Sequence, residues 1–462
     1  MNVTQHFEQL IKIVGEGNVF IDGDIIESHS KDETEDLVFK PDVVARPENA
    51  QIVADLLKYC NNNNLKVTPR GAGTGLSGGA LAVNGGVVLD TSRLNKIIEI
   101  DTRNLQATVQ PGVITQVFQE AVKEHGLFYP PDPSSRGSCF LGGNLSESAG
   151  GPKAVKYGTT KDYVLNIQIA LMNGELIWTG ANVLKNATGY NLTQLIIGSE
   201  GTLGVITAIV FRLIPHPKKD LLLMASFKDI EGACSAVSDV FRHGYIPSAM
   251  EFMEKDAIVW AKKYTNSTFD LEDGTEAYLL IEVDGNDESV LFSDCEGITA
   301  VLEKYGCKNI LFADTATQKN DLWSLRRNVA EAVKSNSVYK EEDAVVPRAE
   351  LPKLLAGVKE IGNRFGFKSV CYGHAGDGNL HINIVKGDLS DDFWNNELID
   401  GIKELFTLIK ELKGTISGEH GIGLVQKEFM PIFFSQQHLH LFKEIKKVFD
   451  PKGILNPGKI WT

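Results

Sequence analysis

The sequence predicts an α+β protein with more than one domain. Its 462 residues are too many for one ordinary hydrophobic core, and 43% hydrophobic with 23% charged residues is typical of a globular chain. Up to about Pro217, short apolar runs alternate with glycine-rich turns. From Asp220, strand-like and helical segments alternate, which predicts a split βαβ sheet domain of the ferredoxin-like kind.

The first half contains a few clear elements. A helix and the charged connector "SHSKDETED" fill about the first 40 residues, followed by a strand at "VVARP". In "PENAQIVADLLKYCNNNN", Ile52, Leu56, Leu57 and Cys60 share one helical face. "LKVTP" is the next strand, and Asn173-Gly174 predicts a hairpin turn.

The second half begins after "IPHPKKD", whose prolines and charges are typical of a domain boundary. Strands are predicted at "DLLLMASF", "PSAMEFM", "AYLLIEV" and "CKNILFA", and helices between them. A last helix, "HLHLFKEIKKVF", precedes two Pro/Gly turns. We therefore expect an N-terminal helical segment (1–35), a first domain (36–217), a second domain (218–425) and a C-terminal segment (426–462) that returns to the first domain.

Composition excludes several classes of protein. A net charge of −14 argues against a nucleic-acid surface. The first 18 residues show no secretory signal, and the six separated cysteines, without a CxxC, fit reduced thiols in a cytosol and give no iron–sulfur signature. The most apolar region, "LIIGSEGTLGVITAIVFRLI", contains Glu200, Arg212 and three glycines, so we expect buried strands rather than a spanning helix. A cytoplasmic protein is expected, with peripheral attachment to the inner face of the membrane as the alternative.

The loop "TPRGAGTGLSGGA" has the spacing of a dinucleotide-binding loop, Gly73-x-Gly75-x-x-Gly78. A Rossmann loop must open a helix that faces the pyrophosphate, but here another turn and an apolar strand follow. The sequence therefore argues against an NAD site. The glycines, Thr74 and Ser77 predict either a backbone cradle for a phosphate or a plain tight turn.

A second group of polar residues predicts a metal site. "LHINIV" alternates like a strand, which puts His381 and Asn383 on one face, and His374 stands in the glycine turn before it. In "SGEHGIG", Glu419 and His420 lie between glycines. Two histidines and a carboxylate form a ligand set with open positions, as in catalytic divalent-metal sites, although any single histidine is more often an ordinary hydrogen-bonded residue in a turn. His420 then serves as a base rather than a ligand.

Arginines in "WSLRRNVAEAV" and Lys340 are candidates for binding a substrate carboxylate. A guanidinium matches a carboxylate in geometry, although Arg326 and Arg327 are also compatible with a solvated helix face.

Six motifs stand in a fixed order along the chain: "PRGAGTGLSGG", "PPDPSSRGSCFLGGNLSESAGGP", "IIGSEGTLGVIT", "GHAGDGNLHINI", "SGEHGIG" and "FDPKGILNPGK". This order resembles flavin-linked 2-hydroxy-acid dehydrogenases, a group that includes D-lactate dehydrogenases, the flavoprotein subunit of glycolate oxidase and D-2-hydroxyglutarate dehydrogenases. The resemblance runs from about Asp36 to Trp461. It implies a two-subdomain FAD-binding domain of the vanillyl-alcohol-oxidase (PCMH) type, with the α+β domain as a substrate-binding cap.

The same resemblance implies how FAD is held. The glycine loop would wrap the pyrophosphate, and because the loop lacks the histidine that some relatives use for attachment, FAD should be noncovalent. The expected FAD-binding residues are Arg70, Gly71, Ala72, Gly73, Thr74, Gly75, Leu76, Ser77, Gly78, Pro131, Asp132, Ser135, Ser138, Gly142, Gly143, Asn144, Ser148, Gly150, Glu200, Gly201, Gly204, Val205, Ile206 and Asn456.

By resemblance, His374, His381 and Glu419 would bind a divalent metal (Zn, Mn or Fe), and His420 would be the base. Arg326, Lys340 and Asn383 would hold the substrate carboxylate and hydroxyl. Where hydroxyglutarate enzymes place a threonine four residues after the arginine, this chain has Ala330.

We therefore expect oxidation of a short D-2-hydroxy acid, D-lactate or glycolate, to the 2-oxo acid. D-2-Hydroxyglutarate oxidation is the first alternative, and a metal-dependent hydrolase or a non-catalytic electron-transfer subunit the more distant ones. Electrons should pass to a separate acceptor: an iron–sulfur subunit, an electron-transferring flavoprotein or a quinone, but not NAD. The sequence is compatible with a homodimer without determining the oligomeric state.

Overall fold

The computed structural model describes residues 3–461, which form two compact units. The first unit contains the chain up to Gly150, the segment Thr159–His216 and the chain from Glu419 onward. The second contains Gly151–Gly158 and Pro217–Gly418. The expected division into segments ending at residues 35, 217 and 425 stays a prediction.

Within residues 3–461 the strands, numbered along the chain, are β1 (Val19–Phe20), β2 (Val43–Ala45), β3 (Val67–Arg70), β4 (Val87–Asp90), β5 (Ile97–Asp101), β6 (Gln106–Val109), β7 (Leu127–Phe128), β8 (Val164–Ala170), β9 (Leu176–Trp178), β10 (Val205–Arg212), β11 (Ile214–Pro215), β12 (Lys219–Phe227), β13 (Ala249–Glu254), β14 (Ala277–Gly285), β15 (Cys307–Ala313), β16 (Tyr339–Val345), β17 (Lys368–His374) and β18 (Asn379–Val385).

The α-helices of the same residues are α1 (Phe7–Val14), α2 (Gly23–Ser28), α3 (Ala50–Asn63), α4 (Thr115–Lys123), α5 (Leu141–Glu147), α6 (Ala154–Tyr157), α7 (Leu192–Ile196), α8 (Ile230–Arg242), α9 (Lys255–Thr265), α10 (Glu288–Glu303), α11 (Ala316–Arg327), α12 (Val329–Asn336), α13 (Leu351–Phe365), α14 (Leu398–Glu411), α15 (Met430–Phe433) and α16 (Gln436–Phe449). Short 3-10 turns and one π-helical turn (Phe393–Glu397) complete the helical structure.

The first unit contains a small, mostly parallel sheet and a larger antiparallel one. In the small sheet the order is β1-β2-β4-β3, and β2, β4 and β3 run parallel. Helix α3 packs on this sheet with Leu56, Leu57 and Cys60, as its periodicity predicts, while Ile52 is only partly buried. The antiparallel sheet has the order β5-β6-β10-β8-β9, with the predicted Asn173-Gly174 turn between β8 and β9.

The apolar region around Gly198 only partly matches the sequence expectation. Residues Val205–Arg212 form the predicted buried strand β10, but Leu192–Ile196 is a short helix with Asn191 as its N-cap. Among residues 3–461, none of the helices combines the length and the apolar composition that crossing a membrane requires. All six cysteines are free thiols.

The second unit is built on a seven-stranded antiparallel sheet of order β15-β12-β14-β13-β17-β18-β16. Its first four strands and the helices α8 and α10 follow one another as β12-α8-β13, then β14-α10-β15, with α9 inserted between the halves. This is the split βαβ arrangement that the alternating pattern predicts. Strands β17, β18 and β16 extend it beyond β13.

Two carboxyl groups are buried in the first unit against glycines. Glu200 is 6% exposed, and although Glu147 is only partly buried as a residue, its Oε2 atom is inaccessible to solvent. A Cβ atom on Gly421 would lie 1.9 Å from Glu147 Oε2 and 3.2 Å from Glu200 Oε1, so the absence of a side chain leaves room for both carboxyls. Burial raises the pKa of Glu147 well above its usual value, to which the neighbouring Glu200 adds, and burial raises the pKa of Glu200 to about 7.

A substitution of Glu147 should therefore change how stability depends on pH. Because the folded-state pKa is raised, the folded protein retains a proton that the unfolded chain loses above pH 4.5, so the wild-type stability falls as pH rises from there through the folded-state pKa. In the Glu147→Gln variant, the side chain at position 147 does not titrate. We expect the drop in melting temperature between pH 5 and pH 8 to be smaller in this variant.

The control is Glu124→Gln, which changes an exposed glutamate of the same unit and should leave the drop unchanged. Equal drops in wild type and Glu147→Gln would contradict the assignment.

Candidate active site

The glycine loop of the first unit follows β3 and is not followed by a helix. The next regular element after the loop is β4, as expected for a loop outside a Rossmann motif. Gly73 has φ = 75°, and a Cβ there would lie 2.1 Å from Arg70 Nη2. Glycine is therefore favoured at position 73, because a side chain there would strain the backbone and displace the Arg70 guanidinium.

Polar atoms at this loop are buried without a hydrogen-bond partner. In residues 3–461, neither Arg70 Nη1 nor the hydroxyl of Ser77 has one, although Arg70 Nη2 donates to the backbone oxygen of Lys31 at 2.7 Å. Buried donors of this kind match the oxygens of a phosphate. The loop thus has the chemistry that the pyrophosphate of FAD requires.

Other predicted FAD segments meet this loop inside the first unit. Gly71 lies beside Gly143, and the Cβ position of Gly201 lies 3.3 Å from the side chain of Pro69. The amide of Asn456 donates to the backbone oxygens of Gly79 at 3.1 Å and of Glu200 at 2.7 Å. The C-terminal "LNPGK" motif therefore fastens the glycine loop to the "GSEGTLG" segment.

The remaining cofactor candidates lie in neighbouring loops and strands. Pro131 accepts a hydrogen bond from Gln119 at 2.9 Å, and the amide of Ser138 donates to Ser135 at 2.8 Å. Asn144 is fixed to Thr115 at 2.7 Å. Contacts of a flavin with these residues, and with Asp132, Ser148, Gly150, Gly204, Val205 and Ile206, stay predictions.

One lysine near the loop had no role in the sequence-based expectation. Lys459 is 2% exposed and donates to the backbone oxygen of Leu81 at 2.6 Å, and burial lowers its pKa to about 8. In the sequence, a role for Lys459 is indicated solely by its position in the "NPGK" motif.

In the second unit, the candidate ligands and substrate residues lie on one face of the sheet. Tyr372 and Asp343 stand opposite His381, and Glu341 stands opposite Asn383. Residues directly opposite in neighbouring strands share a face, as do residues two apart in one strand. His381 and Asn383 therefore share a face, as the alternation predicts.

His374 is the last residue of β17, not part of the glycine turn as expected. Its ring centroid lies 5.3 Å from that of His381, and the two rings are nearly perpendicular, at 84°. His374 is 4% exposed and His381 is 5% exposed. The pair can offer two imidazole nitrogens to one metal ion.

Two acidic side chains and an arginine surround this pair. His381 Nδ1 lies 3.3 Å from Glu341 Oε1 and 3.7 Å from Asp343 Oδ1. Arg326, 3% exposed, pairs with the fully buried Glu251 at 2.7 Å, and its guanidinium lies 5.0 Å from the ring centroid of Tyr372. Sequence reasoning missed Glu251, Glu341 and Asp343. The signal for them is acidic residues inside the strands "AMEFME" and "YKEEDAV".

Asn383 is fully buried, and among residues 3–461 neither atom of its side-chain amide has a well-formed hydrogen bond. The amide interacts with the hydroxyl of Tyr372, and a ligand can use its remaining donor and acceptor capacity.

Lys340 is not brought together with Arg326 and Asn383. The register pairs Lys340 with Ile384, and neighbouring residues of a strand point to opposite faces, so Lys340 lies on the face opposite Asn383. Its ammonium donates to the backbone oxygen of Trp394 at 2.9 Å. Arg327, the other basic residue of the segment, lies over the ring of Trp323 at 5.0 Å.

Glu419 and His420 belong to the first unit. The carboxylate of Glu419 accepts a hydrogen bond from the amide of Gly150 at 3.0 Å. Two and three residues after His420, the amides of Ile422 and Gly423 donate to Glu200 at 2.8 and 2.7 Å. Their roles as third ligand and base stay predictions.

Comparisons with known proteins agree across the whole chain. Residues 41–180 match a model described as FAD binding domain, and residues 216–460 match a model described as FAD linked oxidases, C-terminal domain. The chain is 37% identical to "Glycolate oxidase subunit GlcD" of Bacillus subtilis, over 98% of this chain and 96% of the relative. It is 36% identical to "D-lactate dehydrogenase" of Anaerostipes hadrus, over 99% and 98%.

The fold also matches a solved structure, p-cresol methylhydroxylase with substrate bound, with a TM-score of 0.80 and 18% identity over 99% of this chain and 96% of that one. This likeness shows the fold, a flavoprotein architecture of the vanillyl-alcohol-oxidase type. The chain therefore belongs to the FAD-linked oxidase family and is an FAD-dependent oxidoreductase of the group that contains glycolate oxidase subunits and D-lactate dehydrogenases.

Proposed function

We propose that this protein oxidises a short D-2-hydroxy acid, D-lactate or glycolate, to the 2-oxo acid and passes the electrons to an acceptor other than NAD. The observation that carries the proposal is the buried group formed by Arg326, His374, His381 and Asn383 in the second unit. It combines a carboxylate-binding cation, two metal-type ligands and a fully buried side-chain amide. The names of the relatives support the same substrate class.

The residues fit a divalent metal, Zn, Mn or Fe. Because Glu251 contacts His374 Nδ1, at 2.9 and 3.0 Å, His374 would bind the metal through Nε2. His374 and His381, with Glu419 as third ligand, would hold the ion. A bound metal would supply Lewis-acid activation of the substrate hydroxyl.

The chain's own residues then have separate tasks. Arg326 binds the substrate carboxylate through its planar guanidinium, and Asn383 hydrogen-bonds the substrate in a site from which water is largely excluded. His420 takes the hydroxyl proton as general base. The glycine loop would hold FAD, which would supply a hydride acceptor for the oxidation. Lys340 has no part in this proposal, because its register places it on the other face of the sheet.

The pocket chemistry favours a short substrate. Ala330 carries no hydroxyl, and it lies in the first turn of α12, partly buried against the hydrophobic core. A site built around a distal carboxylate needs polar partners for it, and this position provides none. D-2-Hydroxyglutarate remains the second candidate, since its dehydrogenases belong to the same group of relatives.

The reduced flavin should be reoxidised by a separate partner: an iron–sulfur subunit, an electron-transferring flavoprotein or a quinone. The glycine loop lacks the helix that positions NAD, and a relative that is named as a subunit supports a partner protein.

Substrate preference can be measured by anaerobic flavin reduction. We expect D-lactate or glycolate to bleach the oxidised-flavin absorbance with a higher kcat/KM than D-2-hydroxyglutarate, and L-lactate to react poorly. After reduction, a quinone or artificial dye should reoxidise the flavin quickly and NAD should not. A higher kcat/KM with D-2-hydroxyglutarate would assign the second candidate, and fast reoxidation by NAD would contradict the proposed acceptor.

Metal dependence is tested with His381→Ala. We expect the rate of flavin reduction to fall more than about 100-fold, beyond the 10–100-fold typical of groups outside the coordination shell, while FAD stays bound. Chelator treatment of the wild type should have the same effect and be reversed by metal. The control is His243→Ala, which changes an exposed histidine of the same unit. Full activity of metal-free protein would refute the ligand assignment.

The role of His420 is tested with His420→Asn. We expect metal and FAD to remain bound and the rate of flavin reduction to fall about 10²–10⁴-fold, as for a positioned general base. The loss should shrink at high pH, where the substrate proton is lost more readily. A loss below tenfold would move the role to another residue.

A further inference from the structure

A single carboxylate connects the candidate metal ligand to the candidate substrate-binding arginine. Glu251 lies in β13 and is fully buried. Its Oε1 and Oε2 atoms lie 3.0 and 2.9 Å from His374 Nδ1, and Oε2 lies 2.7 Å from Arg326 Nη2. These contacts all lie inside the second unit.

Burial makes this arrangement informative. A fully desolvated carboxylate is expensive unless it is paired and hydrogen-bonded, and here the guanidinium supplies the charge and the imidazole the hydrogen bond. When Nδ1 donates to a carboxylate, the neutral imidazole keeps its lone pair on Nε2. The contact therefore fixes both the tautomer and the ring orientation of His374.

Arg326 is constrained by the same atom. It lies in the last turn of α11, its guanidinium is stacked over Tyr372, and Oε2 of Glu251 holds Nη2. A guanidinium held by one carboxylate on one edge can still bind a second carboxylate on another, because its five donors point in several directions.

We propose that Glu251 is a positioning residue that orients His374 towards a divalent metal and Arg326 towards the substrate carboxylate. This inference rests on the proposed function of the site. Loss of the Glu251 carboxylate should weaken metal binding and substrate binding together, because one side chain orients both groups.

A residue of the same strand provides a matched control. Glu254 is 6% exposed and pairs with Lys359 at 2.8 Å. Since it is three positions from Glu251, it lies on the opposite face of β13. Glu254→Gln neutralises another buried, ion-paired glutamate of the same strand without touching His374 or Arg326, so it reports the structural cost of such a change.

The experiment compares Glu251→Gln, Glu251→Asp and Glu254→Gln in the full-length flavoprotein. Metal-stripped protein is titrated with Zn²⁺ in competition with a chromophoric chelator, and the KM for D-lactate is measured separately from kcat. FAD content and melting temperature report folding. We expect Glu251→Gln to bind Zn²⁺ about 10–100-fold more weakly and to raise KM, Glu251→Asp to lie between it and wild type, and Glu254→Gln to change only the melting temperature.

Wild-type Zn²⁺ affinity and KM in a folded Glu251→Gln would overturn the inference, as would equal losses in Glu251→Gln and Glu254→Gln. If Glu251→Gln does not fold, Glu251→Asp becomes the deciding variant. Wild-type Zn²⁺ affinity and a wild-type KM for D-lactate in Glu251→Asp would then refute the inference. Absence of Zn²⁺ binding in the wild type would contradict the metal of the proposed function itself. In that case, a wild-type KM for D-lactate in Glu251→Gln would overturn the remaining claim, that Glu251 orients Arg326 towards the substrate carboxylate.

Discussion

The two-residue alternation of the strands in the second unit is the constraint on which the candidate site depends. Because β16, β18 and β17 pair without a register shift, Glu341, Asp343, His381, Asn383 and Tyr372 share one face. A slip of one residue in β16 would turn Glu341 and Asp343 away from this face and bring Lys340, Glu342 and Ala344 onto it, which removes both carboxylates now beside His381. The chemistry of the site is therefore set by backbone hydrogen bonds as much as by the identity of the side chains.

This dependence explains which parts of the site the sequence could predict. In "LHINIV" the polar and apolar residues alternate, so the shared face of His381 and Asn383 could be read directly. In "YKEEDAV" four charged residues are consecutive, and no alternation indicates which of them face the site. The placement of Lys340 beside the substrate rested on resemblance alone, and the pairing of Lys340 with Ile384 puts it on the other face.

Long-range contacts were invisible to sequence reasoning for a different reason. Glu251 and His374 are 123 positions apart, and the contact arises because β13 pairs with β17 inside the sheet. The order of strands along the chain does not reveal this pairing. By contrast, the class of fold could be predicted, because glycine-rich turns with short strands in one half and alternating strands and helices in the other are local patterns. The missing helix after the glycine loop was equally local, and it correctly argued against a Rossmann site.

Both units contain polar atoms that folding has buried without a partner. Within residues 3–461, these include Arg70 Nη1 and the Ser77 hydroxyl in the first unit, and Nε of Arg326 in the second. Each such group costs about 1–3 kcal/mol if it stays unsatisfied. Glu251 shows the opposite case, since its buried charge is compensated inside the protein by Arg326 and His374. The difference separates two kinds of buried polar residue: those that hold other side chains in place and are satisfied by the chain, and those that keep donors which a ligand can satisfy. Arg70, Ser77 and Arg326 keep such donors, which suit a phosphate in one unit and a carboxylate in the other.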